Sequence, residues 1–466
     1  MFFIRIYTVE QKKILVVGLG YRTGLASSNF LAGKGFAVTV CDIKSREDLL
    51  PVIKKLDRSV KVIAGNQDPS ILETAFDEIV LSPGVPQSIP LIQEAKNKGI
   101  PVLSEIELAY RYCTSHIVGI TGTDGKSTTT MLTAHCLKAT GFDAHPCGNI
   151  GIPYVSIVDT LKKNSVAVIE LSSFQLETIH TFKPDVAILT NLTPDHLDRY
   201  NSLEDYFNAK MNIAKNQDAS DYFIVNGDDE FIKTHLPPLQ SKQYSFSLQK
   251  EADCFFKDGA IYCTMNGRRQ LLAHANKLKI LGLHNVQNAM SAVLATLSLA
   301  KKLNREINLR KLEEALYSFE GLPHRVQMVG SFEGRAFIND SKATTVGAVI
   351  MALKSIPGDV ILILGGRAKG DDYSRLKSYF KGKVKALVLI GETKDDFSVL
   401  FSDIPHIKAH TMEDAVIKAM KVSSQGDTVL LSPACASFDM YKNYEERGND
   451  FIDIYNRLSR GQLRWM

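Results

Sequence analysis

Residues 117–137 read IVGITGTDGKSTTTMLTAHCL: an apolar run enters a glycine-rich turn, then come a lysine, four hydroxyl side chains and a helical pattern. Small residues in such a turn let backbone N–H groups approach phosphate oxygens, and the following helix points the positive end of its dipole at them. Lys126 is placed to neutralise the outer phosphates, and Ser127 or Thr128 to ligate Mg²⁺. The strict G-x-x-x-x-G-K-[ST] pattern is not met, because Ile120 stands where its first glycine belongs. What remains is Gly122-Thr123-Asp124-Gly125-Lys126-Ser127-Thr128 between a strand and a helix, and it predicts a nucleotide phosphate cradle.

The cradle begins more than a hundred residues into a chain of 466, and at roughly 100–200 residues per domain this length predicts about three domains. Short runs of Val, Ile and Leu recur, each bounded by Gly, Pro, Asp or Ser and followed by a helical pattern. Continuous apolar runs read as strands covered on both faces, hence parallel α/β sheets. KKILVVGLG, FAVTVCDIK, VKVIAG and DEIVLSPG form a first group, followed by IPVLSEIELAYRYC as a strand leading into a linking helix. HIVGITG, SVAVIELS, DVAILTNLT and DYFIVNGDD form a second, with a hairpin-like insertion near 241–283. GRAFINDS, DVILILGG, VKALVLIG and DTVLLSPA form a third. The expected domains are 1–113, 114–322 and 323–466, all α/β.

Composition narrows the function classes. A hydrophobic fraction of 45% with 23% charged residues is ordinary for a globular protein. The net charge of +4 comes without a basic block, so nucleic acid is not an expected partner. Seven scattered cysteines without a C-x-x-C pair suit a reducing cytoplasm and argue against a disulfide framework or a zinc site. MFFIRIY at the N-terminus is too short for a signal peptide and is interrupted by Arg5, and no stretch approaches the ~20 apolar residues of a membrane span.

Ligand sites of parallel sheets lie at the carboxyl ends of strands. SVAVIE ends on Glu170, which favours a magnesium ligand over a partly exposed loop carboxylate. The next strand leads past Pro194 to Asp195 and His196, where metal ligand and loop histidine are balanced readings. Lys210 lies in a helical pattern and reads as a solvated lysine. In GLHNVQNA, Asn285 and Asn288 either read an adenine edge or, for Asn285, cap the helix. Polar clusters close three later strands: Asp340, Ser341, Lys342 and Thr344; Gly365, Gly366 and Lys369; Ser432, Ser437 and Phe438, followed by Tyr444 and Arg447. A third ligand is expected there.

Taken in order, GITGTDGKST, ELSSFQLE, TPDHLDRY, GLHNVQNA, GLPHR, INDSKAT, LGGRAKG and LLSPACASFD resemble the Mur ligases of bacterial cell-wall synthesis across nearly the whole chain. The resemblance is strongest to the branch that adds D-glutamate. It implies α/β Rossmann-like N- and C-terminal domains flanking a central P-loop-type ATPase domain, in a cytoplasmic, monomeric, ATP-dependent acid–D-amino-acid ligase with ATP, UDP-MurNAc-L-Ala and D-glutamate as substrates. ATP phosphorylates the alanyl carboxylate, and the amine of D-glutamate displaces phosphate.

By the same resemblance, Lys126, Glu170, His196 and Lys210 are catalytic; Ser127 and Glu170 hold a first Mg²⁺, and His196 a second together with Lys210 as a lysine carbamylated by CO₂. Gly122 to Thr128, Asn285, Asn288, Arg325 and Asp340 meet ATP. Gly20, Thr23, Asp42, Ser82, Gly84 and Asn149 meet the UDP-sugar, and Thr344, Lys369, Ser437, Phe438 and Tyr444 meet D-glutamate. Closure of the domains around one carboxylate is expected.

Three features depart from the family pattern. GLGYRTG is one residue longer than the usual turn, Asp124 replaces the usual Asn beside the cradle, and TPDHLDRYNSLEDYFNAK is a residue shorter before Lys210 than in some relatives. A dehydrogenase reading of VVGLGYRTGLA with Asp42 fails on spacing, because Gly24 comes one position late. A non-catalytic nucleotide switch predicts hydrolysis indifferent to amino acids. The branch that adds a diamino acid is disfavoured because its Asp-Asn-Pro-Arg motif is missing, and SPACASFD is unlike the folate polyglutamate ligases.

Overall fold

The computed structural model describes residues 11–196, 199–265 and 267–465; the N-terminal MFFIRIY lies outside them. The first sheet contains β1 (Lys13–Val17), β2 (Ala37–Asp42), β3 (Lys61–Ala64), β4 (Glu78–Leu81) and β5 (Val102–Ser104), all parallel, in the order β3-β2-β1-β4-β5. In β1, Ile14 and Val16 enter one core while Leu15 and Val17 enter another on the opposite face. This is why the run carries no polar alternation. The strand order reverses between β1 and β4, which opens a crevice beyond their carboxyl ends.

The second sheet holds β6 (His116–Thr121), β7 (Asp143–Gly148), β8 (Ser165–Glu170), β9 (Val186–Leu189), β10 (Tyr222–Asn226), β11 (Lys242–Ser247), β12 (Cys254–Lys257), β13 (Ala260–Met265) and β14 (Arg268–His274). Its order is β14-β13-β12-β11-β10-β9-β6-β8-β7. The strand before the cradle, β6, therefore lies between β8 and β9, whose ends carry Glu170 and the segment leading to Asp195. The strands from β7 to β12 are parallel, and β12–β13 is an antiparallel hairpin. Its two turn residues, Asp258 (φ 49°) and Gly259 (φ 77°), both adopt the left-handed conformation that a two-residue hairpin requires. The expected insertion is thus a hairpin grafted on a parallel extension of the main sheet.

The linking helix Glu105–Tyr110 ties the first two sheets together. Its Glu107 carboxylate accepts hydrogen bonds from the backbone N–H groups of His180 (2.9 Å), Thr181 and Phe182 (2.9 Å).

The third sheet has β15 (Gln327–Phe332), β16 (Arg335–Asn339), β17 (Val360–Leu364), β18 (Val384–Leu389), β19 (His406–Lys408) and β20 (Thr428–Leu431), in the order β15-β16-β20-β17-β18-β19. Only β15 is antiparallel to its neighbour. In VILIL of β17, Val360, Leu362 and Leu364 pack into one core and Ile361 and Ile363 into the other. Burying each of these side chains contributes about 1.5–3 kcal/mol.

The chain forms two compact units: one runs to Ala273 and includes Gln287–Ala315, and the other comprises His274–Val286 and Leu316–Met466.

Candidate functional site

The cradle follows β6 directly. Gly122 (φ 141°) turns the chain, and a Cβ there would fall 1.9 Å from Thr190 Oγ1. Gly125 (φ 77°) starts the helix Lys126–Ala139 from a left-handed N-cap, and a Cβ there would meet Asn288 Oδ1 at 2.5 Å. No side chain caps this helix, so its first amides are oriented for an anion. The turn is braced by its neighbours: Asn191 Oδ1 accepts from the Asp124 N–H (2.8 Å), and Thr190 Oγ1 donates to the Asp124 carbonyl (2.7 Å). Asn288 is buried and accepts from Thr129 Oγ1 (3.1 Å), which holds it against the cradle. The Asp124 side chain faces the Thr193 hydroxyl (3.3 Å).

Two lysines converge on this turn. Lys126 Nζ donates to the carbonyls of Gly122 (2.9 Å) and Thr123 (2.6 Å). Lys210 Nζ donates to the same Gly122 carbonyl (2.6 Å) and sits 4.1 Å from the Tyr206 ring centroid. The solvated-lysine reading of Lys210 is wrong: only 1% of the residue is exposed. Its helix, Leu203–Met211, buries Tyr206, Phe207, Lys210 and Met211 on the face toward the sheet, so one cation is carried inward with the apolar positions. Desolvation, helped by the charge of Lys126, lowers its pKa to about 6, so Lys210 rests as a neutral amine at pH 7.

Glu170 is 3% exposed. Its Oε1 accepts from Asn149 Nδ2 (2.9 Å), while Oε2 is buried without a hydrogen-bond partner. An orphaned carboxylate oxygen is what a divalent cation requires, and Glu170 pairs in register with Ile120 at the foot of the cradle. Ser127, also buried, opens the helix beside it. His196 adopts φ 53° and packs 4.9 Å from the Phe174 ring centroid; its side chain is about half exposed, 3.5 Å from Asp195 Oδ2. Among the described residues no three His, Cys, Asp or Glu side chains form a preformed metal cage. Mg²⁺ bound to nucleotide phosphates needs only one or two protein ligands, so Glu170 and Ser127 fit such an ion.

In the first sheet, the turn after β1 is closed by side chains. Asp42 Oδ2 accepts from the Leu19 N–H (2.7 Å), and Ser82 Oγ donates to the Gly18 carbonyl (2.7 Å). A Cβ at Gly20 or Gly84 would meet nothing within 4 Å, so both line open space, and Thr23 begins the helix Thr23–Gly33. The crevice therefore gathers Gly20, Thr23, Asp42, Ser82 and Gly84.

In the second unit, Asp340 is buried, accepting from the Val326 N–H (3.1 Å) and Ser432 Oγ (2.8 Å); burial pushes its carboxyl up to about 7, against the pull of these bonds and of Arg325. Lys369 Nζ donates to Thr344 Oγ1 (2.9 Å), while Ser437 is buried and Phe438 is 63% exposed. Ser341 Oγ donates to the Tyr444 carbonyl (2.8 Å). Arg447 is buried and donates to Ser341 O (2.8 Å) and Cys435 O (3.2 Å), pinning two strand-end loops; its role shows only once those loops are neighbours. Asn285 does not cap its helix, which begins at Leu283; its Nδ2 donates to the Leu281 carbonyl (2.7 Å). Sequence reasoning also passed over Thr190 and Asn191, which carry no motif signal but brace the cradle.

The three sheets coincide with three family profiles: the Mur ligase MurD-like N-terminal domain at 12–104, the Mur ligase middle domain at 120–296, and the Mur ligase glutamate ligase domain at 324–435. The UDP-N-acetylmuramoylalanine–D-glutamate ligase of Geotalea uraniireducens is 41% identical over 458 residues, covering 97% of this chain and 99% of that one. Its namesake in Alkaliphilus oremlandii is 39% identical over 460 residues, covering 97% and 100%. Among solved structures, MurF from Acinetobacter baumannii (15% identity, TM-score 0.60, covering 97% and 95%) and Thermotoga maritima MurF in complex with ADP (16%, TM-score 0.56, covering 97% and 99%) share the fold. With a match at this identity along almost its entire length, and with each of its sheets falling in a profile of the same enzymes, the chain belongs to the Mur ligase family.

Proposed function

We propose that this protein joins D-glutamate to UDP-N-acetylmuramoyl-L-alanine at the expense of ATP, giving ADP and phosphate, as a step in making peptidoglycan precursors. The reading rests on full-length relatives named for that reaction, and above all on one observation: the uncapped cradle, two converging lysines and a carboxylate with an orphaned oxygen meet at the end of β6 and β8.

Forming an amide from a free carboxylate is uphill in water. Transferring the terminal phosphoryl group of ATP to the alanyl carboxylate makes an acyl phosphate, whose carbonyl is electrophilic and whose leaving group is phosphate. The amine of D-glutamate then adds to that carbonyl, loses a proton and expels phosphate. Both partners of the first step are anions, so their repulsion is the barrier the site must lower. The first amides of helix Lys126–Ala139 and the ammonium of Lys126 receive the phosphates, with Gly122 to Thr128 wrapping them. Lys126 exchanges its bonds to Gly122 and Thr123 for phosphate oxygens. Ser127 and Glu170, and at a second position His196, would hold Mg²⁺, which would supply charge neutralisation to the transferring group.

Lys210, with its pKa lowered by burial, would add its amine nitrogen to CO₂ and release a proton to water, giving an anionic carbamate that would complete the second metal position. Asn285, Asn288, Arg325 and Asp340 serve the nucleotide. Gly20, Thr23, Asp42, Ser82, Gly84 and Asn149 serve the UDP-sugar, and Thr344, Lys369, Ser437, Phe438 and Tyr444 serve D-glutamate, with Lys369 facing its side-chain carboxylate. The working domains are 1–113, 114–322 and 323–466. No helix among the described residues is long and apolar enough to cross a membrane, and we place the protein in the cytoplasm as a monomer.

The test is purified protein with ATP, Mg²⁺ and UDP-MurNAc-L-Ala, scanned against amino acids for phosphate release. Release that requires D-glutamate is expected; release with another amino acid, or without any, overturns the assignment.

A further inference from the structure

The longer turn after β1 contains Arg22, and its guanidinium does not fold back on the crevice. It crosses to the turn that follows β7. There Nη2 donates to the carbonyls of Gly148 (3.2 Å), Asn149 (3.2 Å) and Gly151 (2.9 Å), and Nη1 donates to Asn149 (3.2 Å). Three carbonyls on one side chain require a planar fork of donors, which lysine lacks.

That second turn is itself fastened to the metal carboxylate. It closes through the Gly148 N–H and the Ile152 carbonyl (2.9 Å), and Gly148 (φ 100°) lies so close to Glu170 that a Cβ would stand 2.4 Å from the Glu170 carbonyl oxygen. The Asn149 N–H donates to the Glu170 carbonyl (2.8 Å), and Asn149 Nδ2 donates to Oε1 (2.9 Å), which leaves Oε2 as the partnerless oxygen. Beneath the same turn, the buried Glu105 carboxylate accepts from the Val155 N–H (2.6 Å). Desolvation raises its pKa to about 7, and Arg22 is the cation that pulls it back. Arg22 thus joins the sugar-nucleotide turn to the 148–151 turn, and its charge acts on Glu105 of the linking helix.

We propose that Arg22 is a positioning residue for the ligase reaction: by holding the 148–151 turn it fixes Asn149, and through Asn149 the orientation of Glu170 toward the metal. The guanidinium is spent on carbonyls, so it is not a ligand of the sugar-nucleotide diphosphate. The inference rests on the ligase reading for its kinetic arm only.

The experiment uses the full chain as Arg22→Ala and Arg22→Lys. Mn²⁺ binding is titrated by electron paramagnetic resonance in the presence of a non-hydrolysable ATP analogue, beside kcat, KM for each substrate and the thermal midpoint. Arg22→Ala is expected to weaken Mn²⁺ about tenfold and to lower kcat about tenfold, the low end for outer partners of metal ligands. Arg22→Lys should fall between. Unchanged Mn²⁺ affinity in a folded Arg22→Ala, or an effect confined to KM for the UDP-sugar, overturns the proposal. If Arg22→Ala does not fold, Arg22→Lys is decisive, and wild-type Mn²⁺ affinity in it overturns the proposal too. Should the wild type release no phosphate with D-glutamate, the ligase reading fails while the Mn²⁺ titration still judges Arg22.

Discussion

The turns after β1 and β6 share one plan, a buried parallel strand, a glycine turn and a helix, yet their electrostatics are opposite. After β1 a carboxylate, Asp42, already occupies the Leu19 N–H, so the place where an anion would be received is filled by the protein's own negative charge. Both helices start without a side-chain cap, but after β6 the ammonium of Lys126 supplies positive charge and the Lys210 amine donates to the same turn. The first arrangement suits the hydroxyls of a sugar nucleotide; the second suits phosphates. Fold alone therefore does not choose the ligand, and a few side chains at the strand ends do.

The largest test of that contrast is Lys126→Ala. It should lower kcat about 10³-fold, because the lost cation faces charge that develops in the transition state; steady-state phosphate release measures it, and a loss under tenfold would make the cradle a binding element only. Lys210→Met comes next, with two effects of opposite sign. Activity should fall about 10²-fold for want of the carbamate that completes the second metal position. Stability at pH 6–9 should rise by roughly 2–4 kcal/mol, since a buried amine, which the unfolded chain would hold as a hydrated cation, is replaced by an apolar side chain of similar length. The sign follows from the depressed pKa. Between about 6 and 10.5 the unfolded chain binds the extra proton, so wild-type stability climbs with pH through this window and the advantage of the variant shrinks. Denaturant midpoints across that range give the comparison.

Asp42→Asn probes the other turn. Removing its charge while keeping an acceptor for Leu19 should raise KM for the UDP-sugar about three- to tenfold and leave KM for ATP unchanged, a loss of ~1 kcal/mol for a hydrogen bond to a charged group. A shift in the ATP parameter instead would erase the contrast. The effect on catalysis should be smallest for Glu105→Gln, near Arg22, which is read in stability. Glu105 has its pKa raised to about 7 from 4.5, so the folded chain holds the proton longer and wild-type stability falls as pH rises through that interval. Glu105→Gln should therefore match wild type near pH 4.5 and exceed it by about 1–2 kcal/mol above pH 7, read by thermal melts at both ends.

Most strands were legible because β1, β6, β8, β9, β10, β17, β18 and β20 are apolar without alternation, the mark of burial on both faces. The strands that were missed are marginal ones. β7, DAHPCG, lies at a sheet edge, where a proline is tolerated and the apolar signal is weak. β15 is an irregular antiparallel edge strand, and β19 has only three residues, also at an edge. At the site, the cradle and Glu170 were legible from position in strand–turn–helix units. Lys210 was misjudged by its chemistry, because a lysine in a helical pattern gives no local sign that its face turns inward. The cap reading of Asn285 falls three residues past the N-cap position of a helix that begins at Leu283.

By itself the sequence settled the parallel α/β architecture, the place of the phosphate turn and the carboxylate at the neighbouring strand end, since these depend on local periodicity and on residues adjacent in the chain. Tertiary structure alone decided that Lys210 is a buried neutral amine, that one oxygen of Glu170 is left for a cation, and that Arg22 reaches the turn beside it. Each of these depends on desolvation or on contacts between residues 80 to 130 positions apart, and neither quantity exists until the chain has folded.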